Sequence, residues 1–326
     1  MKKGILERLR DGVVIGDGGY LLELEKRGYV KAGPFTPEVA VEHPEALRQL
    51  HREFLRAGSE VLQTCTFYAS EEKLRTAGYA GQVEQINRAA VRVARGVAGE
   101  DALVAGNLSL TWQYEPDNAS AASRVLDLFR RQVLLQMEEG VDFFIAETFH
   151  YLGEASLALQ AIKETGLPAM ITFNFKNPAV SRDGYSPGEC ARRLEGAGAD
   201  IVGTNCGRDP KHMLPLAEEI REAVRCRVAV QAAGFRCTDE IPYFMGLPQF
   251  PLELDPLQLT RLEMADYARS VRNLGVEYIG ACCGITASHI RAMAEALGRT
   301  TAASDKSPDL DIHPILGPEK AGIAAR

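Results

Sequence analysis

Val276-Glu-Tyr-Ile-Gly-Ala-Cys-Cys-Gly284 is a short apolar run that ends in small residues and then a cysteine pair. A buried parallel strand reads this way when it delivers side chains at its C-terminal end, because a strand covered on both faces shows no polar alternation. Ile201-Val-Gly-Thr-Asn-Cys206 has the same form. Two such strand ends in one sheet point three thiols, Cys206, Cys282 and Cys283, at one place. Three sulfur ligands with a fourth position open suit a catalytic zinc, whereas a structural zinc closes its shell with four. For any one of these cysteines alone, a small core residue is the better reading, since free cysteine is among the most buried residue types. The adjacent pair between glycines reads otherwise, because glycine weakens a strand and is kept where backbone must approach something closely.

Outward from these two runs, strand-like and helix-like segments alternate with short connections. Strands are predicted at 13–17, 60–64, 102–107, 141–147, 168–174, 199–204, 227–231 and 277–280. Helices are predicted at 44–57, 82–98, 121–139, 154–165, 187–196, 210–224, 258–274 and 289–297. Eight strand-helix units within about 300 residues match the α/β class of the (β/α)8 TIM barrel, whose chemistry sits on the loops after the strands. The domain expectation is a single barrel over 1–300 and a tail over 301–326. The competing doubly wound fold carries phosphate signatures that are missing. Gly16-Asp-Gly-Gly19 lacks the later glycine of a dinucleotide turn, and no Walker-type glycine-lysine loop occurs.

Composition narrows the function classes. With 326 residues, 46% of them hydrophobic and 25% charged, the chain can bury a large core. A net charge of -7 and the lack of any Lys/Arg-rich run argue against nucleic acid and leave small molecules as partners. The basic N-terminus has no continuous apolar core, and no stretch is long enough to span a bilayer, so a cytoplasmic location without a membrane partner is expected. In a reducing compartment seven cysteines are metal ligands or packing residues rather than a disulfide framework.

The strand ends form a set. Asp17 follows the first strand, Thr64-Cys-Thr-Phe-Tyr68 the second, and Glu147 ends the fourth. Trp112 lies beyond the third, in Asn107-Leu-Ser-Leu-Thr-Trp-Gln-Tyr114. Taken singly, Asp17 reads as a turn or cap residue and Glu147 as a structurally paired acid. In a barrel all of them converge on one rim with the thiols as a polar pocket. The six histidines show no paired metal spacing and read mostly as surface or cap residues; Cys65 reads as small core packing ahead of a reactive thiol, and Cys190, Cys226 and Cys237 as packing or surface.

Several stretches resemble the homocysteine S-methyltransferase family, in its betaine branch. They are Gly16-Asp-Gly-Gly-Tyr20, Leu24-Glu-Lys-Arg-Gly-Tyr-Val-Lys-Ala-Gly-Pro-Phe-Thr-Pro-Glu38, His43-Pro-Glu-Ala46, residues 48–58, Gln63-Thr-Cys-Thr-Phe-Tyr-Ala-Ser70, Gly203-Thr-Asn-Cys206 and Gly280-Ala-Cys-Cys-Gly284. The resemblance spans about residues 10 to 300. It implies a zinc TIM barrel that moves a methyl group onto homocysteine to make methionine. Cys206, Cys282 and Cys283 match the zinc ligands. Asp17, Gly18 and Glu147 match the positions that hold the amino-acid end of homocysteine, with Glu147 also the candidate catalytic residue. Tyr68 matches a ring of the methyl-donor pocket. Two positions depart from the pattern: a family tryptophan is Phe35 here, and the tyrosine after the strand-four glutamate is Thr148. Both belong to the donor side, where Trp112 is the candidate replacement ring. The betaine branch carries a longer C-terminal arm used for oligomerisation, so a homo-oligomer stays open while the proline-rich tail reads as irregular.

The chemistry agrees. A thiol with a pKa of roughly 8.5 is mostly protonated at neutral pH, and a bound cation removes the proton. Methyl transfer from a quaternary ammonium or sulfonium needs alignment and desolvation more than acid or base, because the leaving group departs neutral. Ring faces attract such a cation. Betaine, S-methylmethionine, a sulfonium such as dimethylsulfoniopropionate or a corrinoid partner could each supply the methyl group, and a noncatalytic thiol-binding barrel is the reading from a different class.

Overall fold

The computed structural model describes residues 2–31 and 37–307. Its centre is one parallel sheet of eight strands: β1 (Val14–Ile15), β2 (Val61–Gln63), β3 (Leu103–Ser109), β4 (Phe143–Phe149), β5 (Ala169–Phe173), β6 (Ile201–Asn205), β7 (Arg227–Ala232) and β8 (Tyr278–Ala281). Each strand pairs in parallel with its neighbours in the order β1-β8-β7-β6-β5-β4-β3-β2. The seam between β1 and β2 is joined by Glu60, whose backbone N–H donates to Ile15 O at 2.8 Å while its carboxylate accepts from Ile15 N at 2.9 Å. Arg299 bonds both Glu60 and Val13 O and ties the end of the helix Ala287–Ala296 to this seam. The fold is the expected (β/α)8 barrel.

Two apolar layers hold it. Inside the barrel Val14, Val61, Leu103, Ala105, Phe143, Ile145, Met170, Ile201, Ala229 and Tyr278 fill the lumen. The helix Ile5–Asp11 plugs the N-terminal end with Ile5 and Leu9, each buried side chain stabilising the fold by about 1.5–3 kcal/mol. Outside, the helices lay their apolar faces on the sheet. Pro44–Ala57 shows why: Pro44 starts it, and Leu47, Leu50, Phe54 and Ala57 recur at helical spacing on the buried side before Gly58 ends it.

The differences from the sequence reading are local. Short helices at Ile5–Asp11, Leu21–Lys26, Val39–Glu42 and Glu71–Thr76 were not expected, being too short to show a period. β4 runs past Glu147 to Phe149, with a register shift against β5 between Ala146 and Phe149. His51 is fully buried rather than at the surface, under Tyr20, whose hydroxyl lies 3.1 Å from its Nδ1. Burial there pushes its pKa down to about 3, so the ring is neutral. Phe35 and the tail beyond Ser307 lie outside the described residues. Among those described, no helix is long and apolar enough to cross a membrane.

Candidate active site

The carboxyl ends of β6 and β8 bring Cys206, Cys282 and Cys283 together, with their sulfurs all within 4.8 Å of one another. Cys206 Sγ lies 3.7 Å from Cys283 Sγ. Hydrogen bonds from Cys206 and then Cys282 hold the Cys283 thiol well below its ordinary value. Backbone bonds fix the two loops: Cys206 N donates to Gln231 O at 2.8 Å, and Cys282 N to Ala232 O at 2.9 Å. The glycines of Gly16-Asp-Gly-Gly19 now have a physical reason. A Cβ on Gly19 would sit 2.8 Å from Cys282 O, so only glycine lets the first loop rest against the thiol loop. At Gly284 the backbone has φ +83 and turns the chain away behind the pair. Phe235, Phe244, Leu247 and Leu254, from the long connection after β7, pack with Cys206 and shield the cluster from water on one side. A soft donor set of this kind can hold a metal ion, and no fourth protein ligand joins it among the described residues.

Beside the thiols runs a chain of buried polar groups that starts at Asp17. Its carboxylate accepts from Gln63 N at 2.7 Å, from Gln63 Nε2 at 3.0 Å and from the Tyr20 hydroxyl. Gln63 Oε1 accepts from Asn107 Nδ2 at 2.8 Å, and the same amide donates to Glu147 Oε1 at 2.6 Å. Asn205 Nδ2 donates to Glu147 Oε2 at 2.9 Å. Burial pushes Asp17 up to about 6, against the pull of its three donors. Burial pushes Glu147 up to about 8, its hydrogen bond from Asn107 opposing and the nearby Cys206 adding to the rise.

Thr148 is tied to the same network, its N–H donating to Asn205 Oδ1 at 2.9 Å and its Oγ1 accepting from Asn205 Nδ2 at 2.7 Å. It has φ +65 and lies within the stretch from Ala146 to Phe149 where β4 shifts register against β5. Trp112 (φ +65) and Cys206 (φ +57) share this left-handed conformation. Three non-glycine residues at the same rim each carry about 1–3 kcal/mol of backbone strain, a cost that clusters at functional sites.

Tyr68 is half-buried and feels the charges of all three thiols and of Glu147, which places it on the thiol side of the rim. Its ring centre lies 6.2 Å from that of Trp112. Trp112 is 47% exposed, so it is not the packed ring that tryptophan usually makes. Gly18 packs under the rim against the Phe54 ring and Ile285 O. Cys65 is buried, and burial lifts its thiol to about 12, which makes it the packing residue the sequence suggested. Gln63, Asn107 and Asn205 carry the polar chain, yet nothing local marks them: a strand-end amide looks like any turn residue until the barrel closes.

On the reading that Trp112 is the replacement ring of the donor side, Trp112→Ala is expected to raise the donor KM by about 2- to 30-fold, the worth of one cation–π contact. Its melting temperature should hardly move, since a half-exposed surface position changes stability by about 0.5 kcal/mol or less. Donor titrations of Trp112→Ala and Trp112→Phe beside thermal melts check this; a large loss of stability with an unchanged donor KM contradicts it.

A (β/α)8 barrel with three thiols and a buried carboxylate at its carboxyl rim is the framework of a small-molecule enzyme with a site for a soft metal ion. The chain belongs to the homocysteine S-methyltransferase family, whose model matches residues 14–297, and it is an S-methyltransferase. It is 47% identical over 335 residues to betaine–homocysteine S-methyltransferase 1 of Mus musculus, covering 96% of this chain and 81% of the relative. It is 46% identical over 306 residues to an S-methylmethionine–homocysteine S-methyltransferase of Pongo abelii, covering 91% and 82%. Among solved structures the metallated homocysteine methyltransferase MmuM of Escherichia coli superposes with a TM-score of 0.72 over 88% of this chain and 98% of that one; at 21% identity the likeness is one of fold.

Proposed function

We propose that the protein transfers a methyl group from an onium donor, betaine in the first place, to the thiol of homocysteine and so forms methionine, with zinc held by Cys206, Cys282 and Cys283. The observation that carries this is the convergence of three sulfurs within 4.8 Å beside a buried carboxylate network. The fit to a soft ion rests on the all-sulfur donor set and on loops that hold it through backbone bonds. When bound, zinc favours the deprotonated form of a thiol at neutral pH.

The remaining steps belong to the chain's own residues. Glu147 pairs with the substrate ammonium and fixes the amino-acid end. Asp17, whose oxygens are already taken by Gln63 and Tyr20, acts behind Gln63 and keeps Asn107 aimed at Glu147. The buried Gln231 amide and Asn107 Oδ1 find no partner among the described residues, so they offer further donors and acceptors to a polar substrate end. In the transfer the sulfur lone pair forms the new S–C bond while the C–N or C–S bond of the onium breaks, its electron pair staying on the departing atom. No proton moves in that step, so the residues contribute alignment and exclusion of water. Tyr68 and Trp112, with Phe35 and Thr148, make up the proposed donor side.

A second donor is supported by a specific observation. Relatives named for betaine and for S-methylmethionine are almost equally identical to this chain, so identity does not separate the two. Incubating the zinc-loaded protein with homocysteine and, in turn, betaine, S-methylmethionine and dimethylsulfoniopropionate while measuring methionine decides. Methionine from betaine above all is the expected result, and methionine from none of them refutes the proposal.

A further inference from the structure

Lys73, on the helix Glu71–Thr76, is the only fully buried lysine among the described residues. Its Nζ donates to Ser109 Oγ at 2.7 Å and to Phe67 O at 3.2 Å. Three ring centres surround it, Phe67 at 4.9 Å, Tyr68 at 5.0 Å and Trp112 at 5.1 Å. Phe67 and Tyr68 come from the loop after β2, whereas Ser109 ends β3 and Trp112 lies on the loop after it. One ammonium therefore fastens two rim loops together through ring faces and two hydrogen bonds. Among the described residues no carboxylate forms a salt bridge with it. Glu154 acts on it by its charge, and the same carboxylate accepts from Thr111 N at 2.7 Å and Thr111 Oγ1 at 2.8 Å and so braces the residue before Trp112.

We propose that Lys73 is a positioning residue for the donor side: its ammonium, clamped among Phe67, Tyr68 and Trp112, orients Tyr68 and Trp112 toward an onium methyl donor and sets donor affinity but not homocysteine affinity. The proposal rests on the onium-donor reading of the site. An ammonium prefers an aromatic lining to an aliphatic one because the ring faces are electron-rich. The attraction needs the charge, so the clamp holds only while Lys73 is protonated.

The charge is within reach of ordinary pH. Burial pulls Lys73 down to about 7, with Glu154 acting in the opposite direction. Of the groups that face it, the Tyr68 phenol is held by burial far above its usual range and stays neutral, and Ser109, Phe67 and Trp112 bring no charge. On its own helix Glu71 points out to Arg131. As pH rises through 7 the ammonium loses its proton and the clamp loosens. Donor KM then climbs above pH 7, and Glu154→Gln, which removes the charge that raises Lys73, moves that rise to lower pH.

Trp112 is the sole tryptophan, so its fluorescence reads the clamp without turnover. Full-length zinc-loaded wild type, Lys73→Met, Lys73→Arg and Glu154→Gln are titrated from pH 5.5 to 8.5 for tryptophan emission, and donor and homocysteine KM are measured separately. The expected results are an emission change with a midpoint near 7 in wild type, absent in Lys73→Met and shifted down in Glu154→Gln. Donor KM rises by about 2- to 30-fold in Lys73→Met, is restored in part by Lys73→Arg, and homocysteine KM and zinc content stay unchanged. Donor KM that falls in Lys73→Met overturns the proposal, because repulsion between two cations on one ring set would then outweigh positioning. A flat wild-type emission profile overturns it too, and that measurement needs no variant to fold. If no onium donor yields methionine, the methyl-transfer reading fails by itself while the emission titration still judges the clamp.

Discussion

Cys283→Ala is expected to leave a folded barrel that no longer retains metal and forms no methionine above background. Cys283 is half-buried on the loop after β8, outside the lumen packing of Val14, Leu103, Phe143 and Tyr278 that holds the sheet together. Its loss removes one of three sulfurs lying within 4.8 Å, together with the thiol that the other two hydrogen-bond. Substituting groups that merely orient a ligand costs about 10- to 100-fold in metal affinity, so removing a ligand itself costs more. Elemental analysis after dialysis, circular dichroism and methionine formation check the three parts. Cys65→Ala is the control: that thiol is buried away from the cluster, so the variant keeps its metal and its activity and loses some stability instead. One full equivalent of zinc in Cys283→Ala would falsify the assignment.

Glu147→Gln is expected to weaken homocysteine binding by about 1.5–3 kcal/mol, roughly 10- to 150-fold, the range for a hydrogen bond to a charged group. The size should depend on pH, with a sign that follows from burial. With neither ion nor substrate beside it Glu147 is pushed up to about 8 by burial, so at pH 7 it is mostly protonated, and a cation set against it favours the carboxylate. Binding then releases the proton Glu147 still carries, and the affinity of the wild type gains from rising pH and levels off at or below about 8, since a cation on the neighbouring thiols lowers the carboxyl. Glutamine cannot ionise, so the variant lacks that gain, and the ratio of wild-type to variant affinity should grow by up to about tenfold from pH 7 to 8.5. Protons released by the substrate itself cancel in the ratio. Calorimetry of the metal-loaded proteins at the two pH values measures it, and a ratio near one at both would remove Glu147 from the substrate contact.

The two effects also separate from each other. Cys283→Ala should lose metal and turnover together, whereas Glu147→Gln should keep the metal, because its carboxylate touches Asn107 and Asn205 rather than any sulfur. Asp17→Asn should behave like a milder Glu147→Gln, since Asp17 reaches that side of the site only through Gln63 and Asn107.

By itself the sequence determined the barrel and the thiols. A parallel strand buried on both faces writes a continuous apolar run, and its helix writes a 3.6-residue period, so the eight units and the strand-end cysteines could be read within a dozen residues at a time. Helix Pro44–Ala57 and helix Pro187–Gly196 fall on their expected bounds because proline and glycine mark both turns locally. Only the tertiary structure decided how the polar side chains are used. Asp17 meets Gln63 across 46 residues, Asn107 meets Glu147 across 40 and Asn205 meets Glu147 across 58, and no local pattern encodes such pairings. The left-handed turn at Thr148 depends on Asn205 holding both ends of the residue, and Lys73 became buried only because two separate loops brought three rings around it. Periodic burial is a property of a segment and is written in it, whereas the state of a charge in the site depends on what the closed barrel places beside it.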